Sequence, residues 1–172
     1  IYLFRSGTSA FTANDRAVLG SFADQAAIAV RNAQLYQQVS AEKQQLNAII
    51  QHSADGVMIL DPDLRIQVFN RALSQMTGWP ADAAIGRPCY EVLGLEGATG
   101  LNLCGSEPGA VAFPEGQPLM AEGLLARPGG SRVAVSITYS PLYDEEGRLT
   151  QVIANVVDIT RFREAEEMKS TF

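Results

Sequence analysis

The stretch S-A-D-G-V-M-I-L-D-P-D-L-R-I-Q-V-F-N-R-A, residues 53–72, decides the fold class. Two short runs rich in β-forming residues, Val57–Leu60 and Ile66–Phe69, flank the turn-forming sequence D-P-D-L. This pattern predicts two antiparallel strands joined by a tight turn. The next residues, R-A-L-S-Q-M-T-G-W-P, predict a short helix that ends at Gly78 and Pro80, because glycine and proline commonly close a helix.

The sequence after this helix predicts more short helices and three more strands. P-A-D-A-A-I-G and R-P-C-Y-E-V-L-G predict helices of one or two turns, each stopped by a glycine. Residues 94–118 are rich in Gly and Pro and have little periodicity, which predicts a long loop. The predicted strands are Leu119–Ala126, Val133–Leu142 and Leu149–Ile159. Two strands, short helices and then three strands predict an α+β domain with one antiparallel sheet and the helices on one of its faces.

The N-terminal segment, residues 1–53, has a different composition. From Ala13 to Gln51 it contains one glycine and no proline, and Ala, Gln, Leu, Glu and Arg dominate. Thr12 and Asp15 match the spacing of a capping box at the start of a helix. The segment therefore predicts one continuous helix with a length of roughly 58 Å at 1.5 Å per residue.

Apolar residues on this helix form a narrow stripe with alternating spacings of four and three. Such spacing predicts a dimeric coiled coil, with asparagine in the core fixing a parallel register and glutamate weakening the seam locally. The alternative is a long helix that packs on its own domain. The seam positions are Ile28, Asn32, Leu35, Val39, Glu42, Leu46 and Ile49.

The C-terminal segment, R-F-R-E-A-E-E-M-K-S-T-F at 161–172, returns to helical spacing. Its apolar positions recur at intervals of threes and fours, as they do in the N-terminal segment. The sequence therefore predicts that the sheet domain lies between two helices suited to continue as rods.

The composition excludes several classes of function. The chain has 172 residues, with 13 Lys and Arg against 19 Asp and Glu, for a formal net charge of -6. Without a basic cluster it is not expected to bind nucleic acid directly. No apolar run reaches the length of a membrane span, and the start of the sequence lacks the features of a signal peptide. Two cysteines do not make a secreted disulfide framework, so a cytoplasmic location is expected.

Five short motifs occur in a fixed order between residues 53 and 160: S-A-D-G-V-M-I-L-D, F-N-R-A, T-G-W, I-G-R and V-D-I-T. In this order they resemble a PAS domain at 54–160. F-T-A-N-D-R-A-V-L-G-S-F, within 1–53, is similar to the closing helix of a GAF domain. R-E-A-E-E-M-K-S-T-F, within 161–172, resembles the residues ahead of the phospho-acceptor helix of a sensor histidine kinase. The resemblance implies a GAF domain before this chain and a kinase dimerisation domain after it.

The resemblance implies a sensory and relay fragment of a two-component sensor histidine kinase. The fragment is expected to have no catalytic or metal site, to form a homodimer through its linker helices, and to act on kinase domains in the same chain and, through them, on a response regulator. Asp158 and Thr160, where the last strand meets a helix, are candidates for signal coupling, or else ordinary helix caps. The alternatives are a ligand-free PAS dimerisation spacer and a thiol or flavin redox sensor.

The PAS resemblance also implies a cleft between the sheet and residues 70–118. No cofactor is identifiable. A small ligand of unknown identity is one candidate occupant of the cleft, and the favoured alternative for each side chain is that it simply fills the core. The candidate lining residues are Met58, Leu60, Phe69, Met76, Trp79, Tyr90, Val135, Ile137 and Val156.

Cys89 occupies the place where flavin-binding, light-sensing PAS domains keep their adduct-forming cysteine. Pro88, Tyr90 and Val156 replace the polar residues with which those domains hold flavin, so a flavin is not expected. Cys104 lies in the predicted loop. Two independent thiols are favoured over a redox-active Cys89–Cys104 pair, because the cytoplasm is reducing.

Overall fold

The computed structural model describes Gly7 and residues 10–100, 103–105 and 113–171. The predicted features within residues 1–6, 8–9, 101–102, 106–112 and 172 lie outside the described residues. The chain divides into two compact units, 1–47 and 48–172, which are described separately.

Five helices and six strands make up the described residues. The helices are α1 (Ala13–His52), α2 (Arg71–Thr77), α3 (Ala81–Ala84), α4 (Cys89–Val92) and α5 (Thr160–Ser170). The strands are β1 (Gly56–Leu60), β2 (Ile66–Phe69), β3 (Leu95–Gly100), β4 (Leu119–Ala126), β5 (Arg132–Tyr143) and β6 (Leu149–Asp158). Two single turns of 3-10 helix, Leu103–Gly105 and Pro114–Gly116, lie between β3 and β4.

Helix α1 begins with the predicted capping box. The Asp15 backbone N–H donates to the Thr12 hydroxyl at 3.2 Å, and the Thr12 N–H donates to the Asp15 carboxylate at 2.9 Å. These bonds satisfy backbone N–H groups that have no partner within the helix. The prediction of one continuous helix is confirmed, and no residue of α1 is buried.

The six strands form one antiparallel sheet in the order β2-β1-β6-β5-β4-β3. Strand β1 pairs with β6 and places Gly56 opposite Val156 and Leu60 opposite Val152. The turn between β1 and β2 is held by Asp61, whose carboxylate accepts the backbone N–H groups of Asp63 and Arg65. The α+β prediction is confirmed, and the five predicted strands differ from the observed ones by at most one residue at an end.

Strand β3 corrects the prediction of an unbroken loop over residues 94–118. Its sequence, L-E-G-A-T-G, has little β propensity of its own, so the local pattern indicated a loop. In the structure it pairs with β4, with Leu95 opposite Leu125 and Gly100 opposite Ala121. Pairing with β4 therefore decides the conformation of β3, and strand propensity does not.

Alternate residues of the sheet face a single apolar core that α2, α3 and α4 cover. Tyr139, Phe69, Met58, Leu60 and Ile137 are among the bulkiest fully buried members of this inner face. Burial of each such side chain stabilises the fold by about 1.5–3 kcal/mol relative to exposure. The apolar core therefore determines which face of the sheet packs against α2, α3 and α4. Helices α1 and α5 connect to the sheet at the ends of strands β1 and β6.

Candidate functional site

Asn70 is the centre of the junction between the end of α1 and the sheet domain, here called the N-terminal junction (Ile50, Gln51, Asp55, Val57, Asn70, Arg71 and Leu73). Its side-chain oxygen accepts the backbone N–H groups of Val57 and Leu73 at 2.9 and 3.0 Å. Its side-chain nitrogen donates to the carbonyls of Ile50 and Asp55 at 2.9 and 3.0 Å. Asn70 is fully buried, and the four bonds use the full donor and acceptor capacity of an amide.

Gln51 supplies the second link of the N-terminal junction. Its side-chain oxygen accepts the backbone N–H of Arg71 at 3.1 Å, at the first residue of α2. Gly56 allows the close approach of the neighbouring elements, because a Cβ there would lie 2.8 Å from Leu73 Cδ1 and 3.1 Å from Val156 Cβ. The last turn of α1, β1 and α2 therefore meet in one hydrogen-bonded unit.

Asp158, Ile159, Thr160 and Ala134 form the C-terminal junction between β6, β5 and α5. The Asp158 carboxylate accepts the backbone N–H of Thr160 at 2.9 Å. The N-cap residue of α5 is Ile159, which has no side-chain capping bond. The Thr160 hydroxyl accepts the backbone N–H of Ala134 at 3.2 Å, and the Ile159 N–H donates to the Ala134 carbonyl at 2.8 Å. Ala134 of β5 therefore binds the first turn of α5 through both of its backbone polar groups.

An ion pair adds a second attachment for α5. The Arg163 guanidinium lies 3.3 Å from the Glu122 carboxylate of β4, with side-chain exposures of 40% and 46%. At this exposure such a pair contributes at most about 1 kcal/mol, so it orients α5 more than it stabilises the domain.

The two junctions lie at the same end of neighbouring strands. Strand β1 begins at Gly56, directly after α1, and β6 ends at Asp158, directly before α5. Because β1 and β6 run antiparallel with Gly56 opposite Val156, the start of β1 and the end of β6 are adjacent in the sheet. A shift between these two strands would therefore change both helix attachments together.

Most of the predicted cleft residues lie in the core. Met58, Leu60, Phe69, Met76, Val135, Ile137 and Val156 belong to one buried cluster, and Trp79 packs against its edge. Tyr90 is half-buried and lies outside this cluster, so the structure does not bring it together with the other candidates. Binding of a small ligand among these residues remains a prediction.

The structure overturns the expectation of two independent thiols. Cys89 and Cys104 form a disulfide, with Cα atoms 5.3 Å apart, inside the range that a disulfide requires. Burial raises the pKa of the neighbouring Tyr139 hydroxyl to about 12, while a hydrogen bond from the Cys104 backbone acts in the opposite direction. The expectation failed because the position of the turn Leu103–Gly105, which brings Cys104 to α4, is set by tertiary contacts.

Sequence reasoning located the C-terminal junction and missed the N-terminal one. Asp158 and Thr160 were predicted from the strand-to-helix transition, and the structure places both in the junction. Asn70 lies in the F-N-R-A motif directly ahead of a helical segment, and this N-cap pattern is the sequence signal that could have identified it. The partners in the ion pair, Glu122 and Arg163, are 41 positions apart and carry no local pattern.

Comparisons with known proteins identify relatives of the sheet domain. A family profile described as PAS fold matches residues 50–164. The chain is 25% identical over 136 residues to "Blue-light-activated histidine kinase" of Rhizobium johnstonii, covering 77% of this chain and 38% of that protein. It is 26% identical over 132 residues to "Sensor protein kinase WalK" of Staphylococcus aureus, covering 77% of this chain and 29% of that protein. The chain therefore spans well under half the length of these relatives.

Solved structures show the same fold at low sequence identity. The PAS domain of the HTR-like protein from Haloarcula marismortui superposes with a TM-score of 0.56 at 21% identity, covering 74% of this chain and 99% of that one. The PAS domain from Bordetella pertussis BvgS superposes with a TM-score of 0.53 at 19% identity, covering 80% of this chain and 99% of that one.

Among the described residues, no helix combines the length and apolar character needed to cross a bilayer.

Proposed function

The chain belongs to the PAS fold family, and from this membership we propose that it is a sensory and relay fragment of a two-component sensor histidine kinase. In this proposal residues 54–160 sense, and α1 and α5 connect them to other domains of the same protein. The two relatives named above as kinases support this context. The fragment itself carries no catalytic step, and the phosphorelay from ATP to a response regulator is the work of kinase domains in the cytoplasm.

The position of the two junctions is the observation that carries the proposal. Helix α1 enters at the start of β1 and α5 leaves at the end of β6, and these strand ends are paired. At each junction a side chain accepts a backbone N–H from another element: Asn70 accepts that of Val57, and Thr160 accepts that of Ala134. A domain that only filled space between other domains would not need side-chain hydrogen bonds at the points where its connecting helices meet paired strand ends.

The relay acts through the geometry of these bonds. A displacement of β5 against β6 would separate Ala134 from Thr160 and release the first turn of α5. The Arg163–Glu122 pair would then let α5 turn about β4 instead of detaching from it. Small shifts of packed elements are a recurrent way of passing a change of state between domains.

Dimerisation through α1 is the second component of the proposal. Ile28, Leu35, Val39, Leu46 and Ile49 are 54–63% exposed in the single chain. Exposure of large apolar side chains at coiled-coil spacing favours a partner helix from a second copy. A rotation of paired helices would then reach the kinase domains of both copies.

Sedimentation velocity tests the dimer. The chain should run as a dimer at micromolar concentration, and the double variant Leu35→Lys/Leu46→Lys should run as a monomer because two charges would enter the seam. Tyr36→Lys is the matched control, since Tyr36 is 78% exposed and lies outside the seam. A monomeric wild-type chain, or an equally disruptive control, would contradict the coiled coil.

Autophosphorylation tests the relay. In a fusion of this chain to the kinase portion of a sensor histidine kinase, Thr160→Val should change the autophosphorylation rate without changing the dimer. Ser170→Ala, at the far end of α5, is the control and should leave the rate unchanged. Equal rates in wild type and Thr160→Val would refute the coupling role of Thr160.

Flavin does not fit the residues of this domain. The Cys89 sulfur is bonded to Cys104, and Val156, fully buried and apolar, presents no hydrogen-bonding side chain. No step of the proposed relay therefore passes through a flavin. A small apolar ligand among the core residues Met58, Met76 and Ile137 would need these side chains to rearrange.

A ligand-free dimerisation spacer is the second candidate. It is favoured by the packing of the inner face, where the bulkiest residues are fully buried and no buried polar side-chain atom within the described residues lacks a hydrogen-bond partner. Native mass spectrometry of the purified chain distinguishes the two. A bound small molecule of constant mass supports the sensor, and a reproducibly ligand-free chain supports the spacer.

A further inference from the structure

We propose that Cys89 and Cys104 form a reversible disulfide that low-molecular-weight thiols and disulfides control, and that this bond holds the turn Leu103–Gly105 against α4. The formation and cleavage of this bond are properties of the sheet domain alone. The effect of the bond on the attachment of α5 rests on the proposed relay function.

The two cysteines come from two short elements that the disulfide joins covalently. Cys89 is the first residue of α4, and Cys104 is the middle residue of a single 3-10 turn between β3 and β4. The bond closes a separation of 15 residues, which spans α4 and β3. Cys89 and Val92 of α4 belong to the buried core, and Leu103 of the turn packs against it, so each element is anchored to the core and the disulfide is the covalent link between the two.

Tyr139 links this attachment to the central sheet. Its hydroxyl is hydrogen-bonded to the Cys104 backbone, and its ring is fully buried in β5. Departure of the turn would leave this hydroxyl without that partner, and an unsatisfied buried polar group is costly. Reduction of the disulfide, by releasing the turn, would therefore remove a hydrogen bond from a buried residue of β5.

Strand β5 connects the disulfide to the C-terminal junction. Tyr139 and Ala134 both belong to this strand, and the backbone of Ala134 is hydrogen-bonded to Thr160 and Ile159 at the start of α5. A change in the pairing of β5 would alter the attachment of α5. The redox state of the cysteines thus acts on the same strand as the proposed relay.

The oxidation is a two-step thiol–disulfide exchange. One cysteine thiolate attacks a small disulfide, which breaks its S–S bond and releases one small thiolate. The second cysteine thiolate then attacks the mixed disulfide, forms the Cys89–Cys104 bond and releases the second small thiolate. Two electrons pass from the protein sulfurs to the small disulfide, and the two protons end on the small thiols.

Burial determines how the exchange proceeds. Cys89 is 0% exposed and Cys104 is 1% exposed, so neither sulfur is open to a small thiol while the turn is in place. Exchange therefore passes through a locally opened form. In the reduced chain Leu103–Gly105 moves away from α4, and in the oxidised chain α4 and the turn, still bonded to each other, move away from the sheet together. Such local opening is far less costly than global unfolding, and the reduced chain should populate the open form more than the oxidised chain does.

The experiment equilibrates the chain in mixtures of reduced and oxidised glutathione. Thiols are then counted by alkylation under denaturing conditions and intact mass. The intramolecular disulfide should appear and disappear as the ratio is changed. The oxidised chain should have a folding equilibrium constant about a hundredfold larger than that of the reduced chain, because the bond closes a 15-residue separation.

Hydrogen exchange of the same samples tests the transmission. Reduction should speed exchange at Leu103–Gly105 and at Ala134, and the double variant Cys89→Ala/Cys104→Ala should show no dependence on glutathione. If this variant does not fold, the comparison of wild type in the two redox states still decides the question.

Each contrary result overturns a defined part of the proposal. A chain that never forms the intramolecular bond, or forms it only between two copies, overturns the site. A bond that persists at every glutathione ratio overturns its reversibility. A reversible bond with unchanged exchange at Ala134 overturns the link to α5, while the relay proposal still stands or falls on the effect of Thr160→Val on autophosphorylation.

Discussion

Replacing Asn70 with leucine should destabilise residues 48–172 by about 2–4 kcal/mol. The substitution removes the acceptor for two backbone N–H groups, those of Val57 and Leu73. An unsatisfied buried donor costs about 1–3 kcal/mol, so two cost about 2–6 kcal/mol. Leucine has a similar size and gains roughly 1–2 kcal/mol from apolar burial at a fully buried position. Subtracted from the middle of that range, about 4 kcal/mol, this gain leaves about 2–3 kcal/mol, and the carbonyls of Ile50 and Asp55, which lose their donor, raise the upper limit to about 4 kcal/mol.

Urea unfolding measures this loss as a lower midpoint with an unchanged slope. Asn70→Ser separates the contributions, because serine restores the cap of α2 and should recover about 1 kcal/mol without reaching Ile50. Asn47→Leu, at an exposed site of α1, is the control for the residue change and should alter stability by less than about 0.5 kcal/mol. The reasoning is refuted if Asn70→Leu and the control differ by less than about 1 kcal/mol. It is also refuted if the amides of Val57 and Leu73 do not exchange faster in the Asn70→Leu variant.

Three further changes test other parts of the fold. Gly78→Ala should destabilise by about 1–3 kcal/mol in urea, because φ is +78° and the new Cβ would lie 2.7 Å from Pro128. Burial raises the pKa of Tyr139 to about 12, above the value of about 10 in the unfolded chain. The protonated hydroxyl therefore contributes its full stabilisation below a pH of about 10, and this contribution is lost as the pH rises from about 10 to about 12. The free energy of unfolding measured against pH should show this decline, and Tyr139→Phe should remove it. Thr160→Val should cost about 1–3 kcal/mol and speed exchange of the Ala134 amide, and unchanged exchange would show that this hydrogen bond is not formed in solution.

The parts of the fold predicted correctly depend on residues close together in sequence. The capping box joins Thr12 to Asp15, and both of its predicted bonds are present. The β1–β2 turn depends on Asp61 and the residues that directly follow it. In such cases the preferred backbone geometry and its hydrogen-bond partner lie within the same few residues, so one sequence is enough to find them.

The parts predicted wrongly or missed depend on partners that the fold brings from a distance. Strand β3 exists because β4 offers it a ladder of hydrogen bonds, although its own residues favour a loop. The Cys89–Cys104 bond depends on where the turn after β3 lies. The hydrogen-bond partners of Asn70 include residues of α1, β1 and α2, and no local pattern indicates that Ile50 is one of them.

The sequence by itself determined the helical segments, the five most strongly patterned strands and the family of the sheet domain. These follow from short-range periodicity and turn chemistry, which act before any tertiary contact forms. Tertiary structure alone decided the sixth strand, the pairing of the cysteines and the Asn70 network that joins α1 to the sheet. Each of these requires a group whose position is fixed only once the strands have paired and the core has packed.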